Sequence, residues 1–196
     1  QYGKSIGKAE DIIYSAKFPN IVLIQKDREQ IYRYSSKAFV YLYEADAQTV
    51  TRLDTGKVLH PSLSPDGTKV AYVKENNLYI YDIAAKKTVA VTTDGKWNYI
   101  INGNCDWVYE EEFSFTQAYQ WSPKGNYLAY YRFDETNVKQ YEFTVFDNSY
   151  NKQYEYKYPK AGEENSKVEI HIYETATGKD VKAQYEQGDI YIPRIK

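Results

Sequence analysis

The sequence predicts an all-β chain folded as a partial β-propeller of about four blades, each a four-stranded antiparallel sheet. Three observations predict it. The chain is rich in tyrosine, 23 of 196 residues, and has no methionine; aromatic-rich chains poor in helix formers favour strands. Apolar residues recur at period two, and no stretch carries a long 3.6-residue apolar period. Two segments repeat each other, "LSPDGTKVAYVKENNLYIYD" from Leu63 and "WSPKGNYLAYYRFDETNVKQYEF" from Trp121, with Ser122 placed 58 positions after Ser64.

The elements follow in order. In "KAFVYLYEAD" (37–46), Phe39, Tyr41 and Tyr43 alternate as in a strand. "TKVAYVKENNLYIYDIAAKKTVAVTT" (68–93) reads as a β-meander, with turns at Glu75-Asn76-Asn77 and Ala85-Lys86-Lys87. Residues 167–184 repeat the idea around a turn at Thr177-Gly178-Lys179. Each copy of the repeat opens on Ser-Pro-x-Gly, where proline fixes φ and glycine accepts φ above zero. The same strands would fit a β-sandwich; the repeat is what points to blades. At roughly 40–60 residues per blade, the chain holds about four. An open arc leaves edges and apolar faces uncovered, so self-association or disordered ends are expected of the chain on its own.

Composition excludes several functions. With 25 basic and 27 acidic residues, the chain offers no basic face for nucleic acid and no polybasic membrane patch. No apolar run nears the roughly 20 residues of a membrane-spanning helix. The chain begins at Gln1 and shows no signal segment, so a piece of a longer protein is expected. Cys105 is the lone cysteine and reads as a small buried side chain. His60 and His171 lie far apart with no second cysteine, which argues against a zinc site. No metal or cofactor is expected.

"FTVFDNSYNKQYEYKYPKAG" (143–162) breaks the blade rhythm. Tyr154, Tyr156 and Tyr158 alternate with Glu155 and Lys157, giving one tyrosine edge and one charged edge. Such an arm is a candidate for packing on a second subunit of a homodimer. Folding over its own blade is the other reading.

"DWVYEEEF" (106–113) holds three consecutive glutamates between aromatic residues. A run of acids is ordinarily a solvated face. This string, "WSPKGNYLAYYRFDETNV" (121–138) and "YPKAG" (158–162) together resemble, in this order, the dipeptidyl peptidase IV group of the prolyl oligopeptidase serine peptidases. The resemblance is clearest from Ser62 to Val168. The Ser-Pro-x-Gly turn is common to many propellers; the Asp-Trp-Val-Tyr-Glu-Glu-Glu string is the specific part.

The resemblance implies that residues 1–196 are the N-terminal half of an eight-bladed propeller. It implies an enzyme that removes X-Pro or X-Ala dipeptides from free N-termini. The catalytic serine, aspartate and histidine would sit in a C-terminal α/β-hydrolase domain outside this chain. No nucleophile elbow is expected here, and the chain alone should hydrolyse nothing. By the same resemblance, Glu111 and Glu112 grip the substrate's terminal ammonium, and Arg33 meets a substrate carbonyl or a ligand's acidic group. Glu110 is left as a bystander, with Trp107 and Tyr109 as packing residues. The location implied is secreted, periplasmic or membrane-anchored with an extracytoplasmic domain. A non-catalytic binding propeller, an inactive relative and a tripeptide-releasing relative are the alternatives.

Two carboxylates that share one ammonium constrain the backbone. Neighbours on a strand point to opposite faces, whereas neighbours on a helix lie about 100° apart. A short helical segment over Tyr109–Phe113 is therefore predicted. Without substrate, the paired acids should borrow a cation, with Arg33 as a candidate.

Overall fold

The computed structural model describes residues 9–146, 149–185, 188 and 190–195. The first sheet runs β1 (Asp11–Ser15), β2 (Phe18–Gln30), β3 (Ser36–Glu44) and β4 (Thr49–Arg52), in that order and antiparallel throughout. The second runs β5 (Leu59–Leu63), β6 (Lys69–Lys74), β7 (Asn77–Asp82) and β8 (Lys87–Ala90). After these come β9 (Ile100–Asn102), α1 (Trp107–Phe113), β10 (Tyr119–Trp121) and β11 (Tyr127–Asp134). An arm of β12 (Gln140–Val145) and β13 (Lys152–Lys157) follows, then β14 (Lys167–Glu174) and β15 (Asp180–Lys182).

Four antiparallel sheets result, and they do not close into a ring. Three have the meander order of blades. The third is β10-β11-β14-β15, with β9 also on β11. The fourth sheet is the two-stranded arm, inserted between β11 and β14 rather than following as a further blade. Asp147 and Asn148 of the arm lie outside the described residues.

The blades stack because their strands are apolar on both faces. Along β6, Val70 and Tyr72 join Leu23, Val40 and Leu42 of the first sheet, while Ala71 and Val73 join Tyr119, Trp121, Leu128 and Tyr130 of the third. The side-chain alternation of a strand thus feeds two cores from one strand, and interior strands read as nearly continuous apolar runs. On β3 the inward residues are Ala38, Val40 and Leu42, each 1% exposed; Phe39, Tyr41 and Tyr43 form the other, half-covered face. The outermost strands β8 and β15 are exposed along their whole length.

The two Ser-Pro-x-Gly turns share three hydrogen bonds. Ser64 N–H donates to Lys69 O at 2.8 Å, and Ser122 N–H to Tyr127 O at 2.9 Å. Gly67 and Gly125 each donate back to that serine's carbonyl at 2.9 Å. The serine hydroxyls accept from Lys69 N–H and Tyr127 N–H at 2.9 and 3.0 Å. Both glycines are left-handed, with φ of 72° and 74°, which a residue with a Cβ adopts only at a cost. The β6–β7 turn is two residues, Glu75 and Asn76, both at positive φ, the hairpin geometry that matches strand twist.

Candidate functional site

The helix α1 leaves from one edge of β11. That edge is paired in two halves, by β9 at residues 132–134 and by β10 at residues 128–130. The residues between them carry the helix, seven residues long and covering the predicted segment. Asp106 caps it: its backbone is extended and its carboxylate accepts from Tyr109 N–H at 2.9 Å. Ser166 also donates its hydroxyl to Asp106. Burial pushes the Asp106 carboxyl above its ordinary value, against the pull of those hydrogen bonds. Ser114, in the left-handed conformation, ends the helix.

Two neighbouring residues bury the helix on different sides. Tyr109 is 1% exposed, with ring centroids 4.9 Å from Phe133, 5.0 Å from Phe113 and 5.8 Å from Phe115. Its oxygen accepts from Ile192 N–H at 2.8 Å, and burial pushes its hydroxyl pKa to about 12. Glu110 is also buried, and its Oε1 accepts from both Tyr34 N–H and Ser35 N–H at 2.8 Å. Hydrogen bonds to a carboxylate are the stronger kind. Glu110 therefore ties α1 to the β2–β3 loop. Glu110 is expected to stand aside from the substrate ammonium, and the structure adds that it fastens the helix. One signal was available: with Tyr109 buried, a helix turns the next side chain only about 100° away, so one glutamate of the run faces protein.

The remaining two glutamates differ, Glu112 being exposed and Glu111 only partly so. Glu111 lies mostly covered, with a side chain 19% exposed, and its Oε2 is 2.8 Å from Arg33 Nε. That oxygen has no aligned hydrogen bond, so the contact is Coulombic attraction without hydrogen-bond geometry. Arg33 itself is 60% exposed, and ion pairs that open to water are weak and exchangeable. Glu112 is exposed and lines a cavity of about 500 Å³ together with Trp107, Phe113, Lys160 and Tyr191. The structure thus brings Glu111 and Arg33 into contact and places Glu112 at the next helical position. Arg33 sits in the very loop that Glu110 holds.

Trp107 stands edge-on to Tyr158, 4.3 Å between ring centroids, so the helix also leans on the arm. The histidines belong to different sheets: His60 Nε2 pairs with Asn104 Oδ1 at 2.7 Å, and His171 lies between Asp180 and Glu169 at 2.8 and 3.2 Å. Among the described residues, no group of three or more histidine, cysteine or carboxylate side chains could hold a metal. Cys105 is buried, and burial pushes its thiol well above the ordinary value, which makes it a poor nucleophile. Gly3-Lys4-Ser5-Ile6-Gly7 does spell Gly-x-Ser-x-Gly, a correction to the expectation that the chain has no such pattern. It lies outside the described residues, and the pattern means an elbow only between a strand and a helix.

Residues 19–196 match the dipeptidyl peptidase IV (DPP IV) N-terminal region. Dipeptidyl aminopeptidase B of Saccharomyces cerevisiae is 36% identical over 163 residues, which are 80% of this chain and 20% of the relative. Prolyl endopeptidase FAP of Homo sapiens is 35% identical over 158 residues, 79% of this chain and 21% of the relative. The crystal structure of Porphyromonas gingivalis dipeptidyl peptidase 4 superposes with a TM-score of 0.91 at 40% identity, covering 95% of this chain and 27% of that one. The chain spans about a fifth of the length of the curated relatives it matches. The chain belongs to the dipeptidyl peptidase IV family, in its N-terminal region.

Proposed function

We propose that this chain is the propeller part of a serine dipeptidyl aminopeptidase and supplies the receptor for the substrate's free N-terminus. The observation that carries the reading is α1 itself. Glu110 and Tyr109 are buried as its anchors, so Glu111 and Glu112 are presented at consecutive helical positions with Arg33 against Glu111. An incoming primary ammonium carries three donors and a full charge, and a charge-assisted hydrogen bond contributes roughly 1.5–3 kcal/mol. It competes directly with Arg33 for Glu111. Displaced, the guanidinium is free to meet a substrate carbonyl. A site that holds the chain end at fixed distance from a hydrolase nucleophile selects the second peptide bond. The nucleophile, the hydrolase domain that carries it, the gating of substrate entry, an extracytoplasmic location and a homodimer joined through the 143–162 arm all belong to this same reading.

The test uses the intact protein and Gly-Pro-p-nitroanilide. Glu111→Gln and Glu112→Gln should each lower kcat/KM by about a hundredfold or more, because a misplaced chain end lowers the chemical rate as well as binding. Wild-type kinetics in both variants would overturn the assignment. An N-acylated Gly-Pro substrate separates this reading from the endopeptidase activity that one relative's name carries: it should be cleaved poorly, and no worse in the variants.

A further inference from the structure

A second cavity, of about 410 Å³, lies between α1, the 97–106 segment and the arm. Glu111 and Glu112 do not line it; Glu110 and the β2–β3 loop residues Ile31, Tyr32 and Ser35 do, so it adjoins the N-terminal receptor without including its two outer carboxylates. Much of its wall is aromatic. Phe143, Tyr154 and Tyr156 of the arm run ring to ring, with centroids 5.4 Å apart for the first pair and 5.8 Å for the second. Trp97 meets Tyr154 edge-on at 6.3 Å, which carries the aromatic surface from the arm onto the blade.

The same wall holds Glu135, which is 6% exposed. Among the described residues, its carboxylate makes no hydrogen bond and no ion pair. Its oxygens are not among the fully sealed, unpartnered atoms, unlike Asn102 Oδ1 and Trp107 Nε1, so they stay reachable from the cavity. The other charged groups around the cavity are engaged. Asp106 accepts from Tyr109 N–H and Ser166, and Glu110 from Tyr34 and Ser35 N–H. Lys157, the cation of the wall, donates to Val138 O at 2.8 Å. Buried polar groups are normally partnered, and a buried carboxylate without one is costly. Burial first, then the charge of Asp106, push the Glu135 carboxyl up to about 8, with Lys157 opposing and Asp134 adding.

We propose that this cavity binds a small organic ammonium ion with an apolar body, its cationic centre held between the Glu135 carboxylate and the aromatic rings. Ring faces carry negative electrostatic potential and attract a cation more strongly once water is excluded. The cavity's volume is in the range of small-ligand sites, which combine apolar walls with a few placed polar groups. An anion would meet three carboxylates against one lysine. A neutral ligand could offer Glu135 a hydrogen bond but would leave its charge uncompensated. Because Phe143, Tyr154 and Tyr156 come from the arm and Glu135 from the end of β11, an occupied site would also brace the arm on its own blade.

The experiment is calorimetric titration of the intact protein with benzyltrimethylammonium at about pH 8.5, where the Glu135 carboxyl ionises readily. That probe has no N–H to offer Glu111 or Glu112. Saturable binding is expected, with benzyl alcohol and benzoate at least about tenfold weaker. Glu135→Gln, nearly isosteric, should weaken the probe by about tenfold or more and leave Gly-Pro-p-nitroanilide cleavage unchanged. Phe143→Ala, at a ring 42% exposed in this chain, should weaken it too. Glu111→Gln should leave probe binding intact. Absence of saturable heat, equal affinity for benzyl alcohol, or unchanged binding in Glu135→Gln would each overturn the proposal. None of these outcomes depends on the peptidase reading being right.

Discussion

Ser64 and Ser122 make the same three turn hydrogen bonds in the second and third blades, yet the blades they open differ in what is threaded through them. In β5–β8 the chain goes from strand to strand through short turns over residues 59–90. In the third blade, the strand pairing one edge of β11 is split into β9 and β10 with α1 between them. On the other edge, residues 135–166 intervene before β14, and they contain the arm. The uninterrupted blade holds its neighbours on both faces through apolar residues. The interrupted blade carries the buried acids Asp106, Glu110 and Glu135. The difference teaches where function enters a propeller: excursions from strand edges leave the apolar faces untouched, so the scaffold tolerates polar, ligand-facing groups there.

The comparison is broken first at Glu110. Glu110→Ala strands the buried N–H of Ser35 and frees the more exposed N–H of Tyr34, and should cost about 2–3 kcal/mol, since a buried unsatisfied group costs roughly 1–3 kcal/mol. Thermal melting of the intact protein measures it. Because the loop so released carries Arg33, kcat/KM should fall as well, and Glu110→Gln, which keeps an acceptor, should recover most of both. An alanine variant with unchanged melting and kinetics would remove Glu110 from the positioning role.

A pH effect comes next. The folded pKa of Glu135, about 8, stands above its ordinary value of 4.5, so the folded protein keeps a proton that the unfolded chain releases. The stabilisation is complete below about pH 4.5 and is lost as pH rises through about 8. Melting temperature followed against pH should show that decline, and Glu135→Gln should flatten it. A variant with the wild-type slope would place the titrating group elsewhere.

The smallest effects compare the two turns directly. At either glycine an alanine must sit at positive φ, a strain of about 1 kcal/mol. At Gly67 the added Cβ would also lie 2.6 Å from the Phe18 ring, whereas at Gly125 it meets the Asp66 carboxyl at 3.1 Å. Overpacking of that kind adds roughly 1–3 kcal/mol, so Gly67→Ala should destabilise by about 2–3 kcal/mol and Gly125→Ala by about 1. Equal losses would show that the Phe18 ring moves aside freely.

Local features were legible because they depend on local physics. Period-two patterning located the strands, Pro-x-Gly and Asn-containing turns located the reversals, and the need to bring Glu111 and Glu112 to one side predicted the helix that α1 supplies. The period-two aromatic series of β3 was read correctly as a strand, but the series alone does not say which of its two faces is the core. The core face is Ala38, Val40 and Leu42, because Val40 and Leu42 on that side pack with Val70 and Tyr72 of the second blade. The motif match drew attention to Glu111, Glu112 and Arg33 by residue type. It offered Arg33 as a candidate cation for the paired acids, and the structure puts it against Glu111 in particular.

By itself the sequence determined the strand class, the repeated turn, the helix and the family to which they belong, since each is written within a few residues. Only the tertiary structure decided that Arg33 meets Glu111, that Glu110 holds the loop bearing Arg33, and that Glu135 is buried without a partner beside the arm. Those contacts join residues some 75 or more positions apart in the case of Glu110. Nothing in the identity of a glutamate says whether water, a backbone amide or a cation will face it; burial and blade stacking settle that, because they remove the water that would otherwise answer every charge.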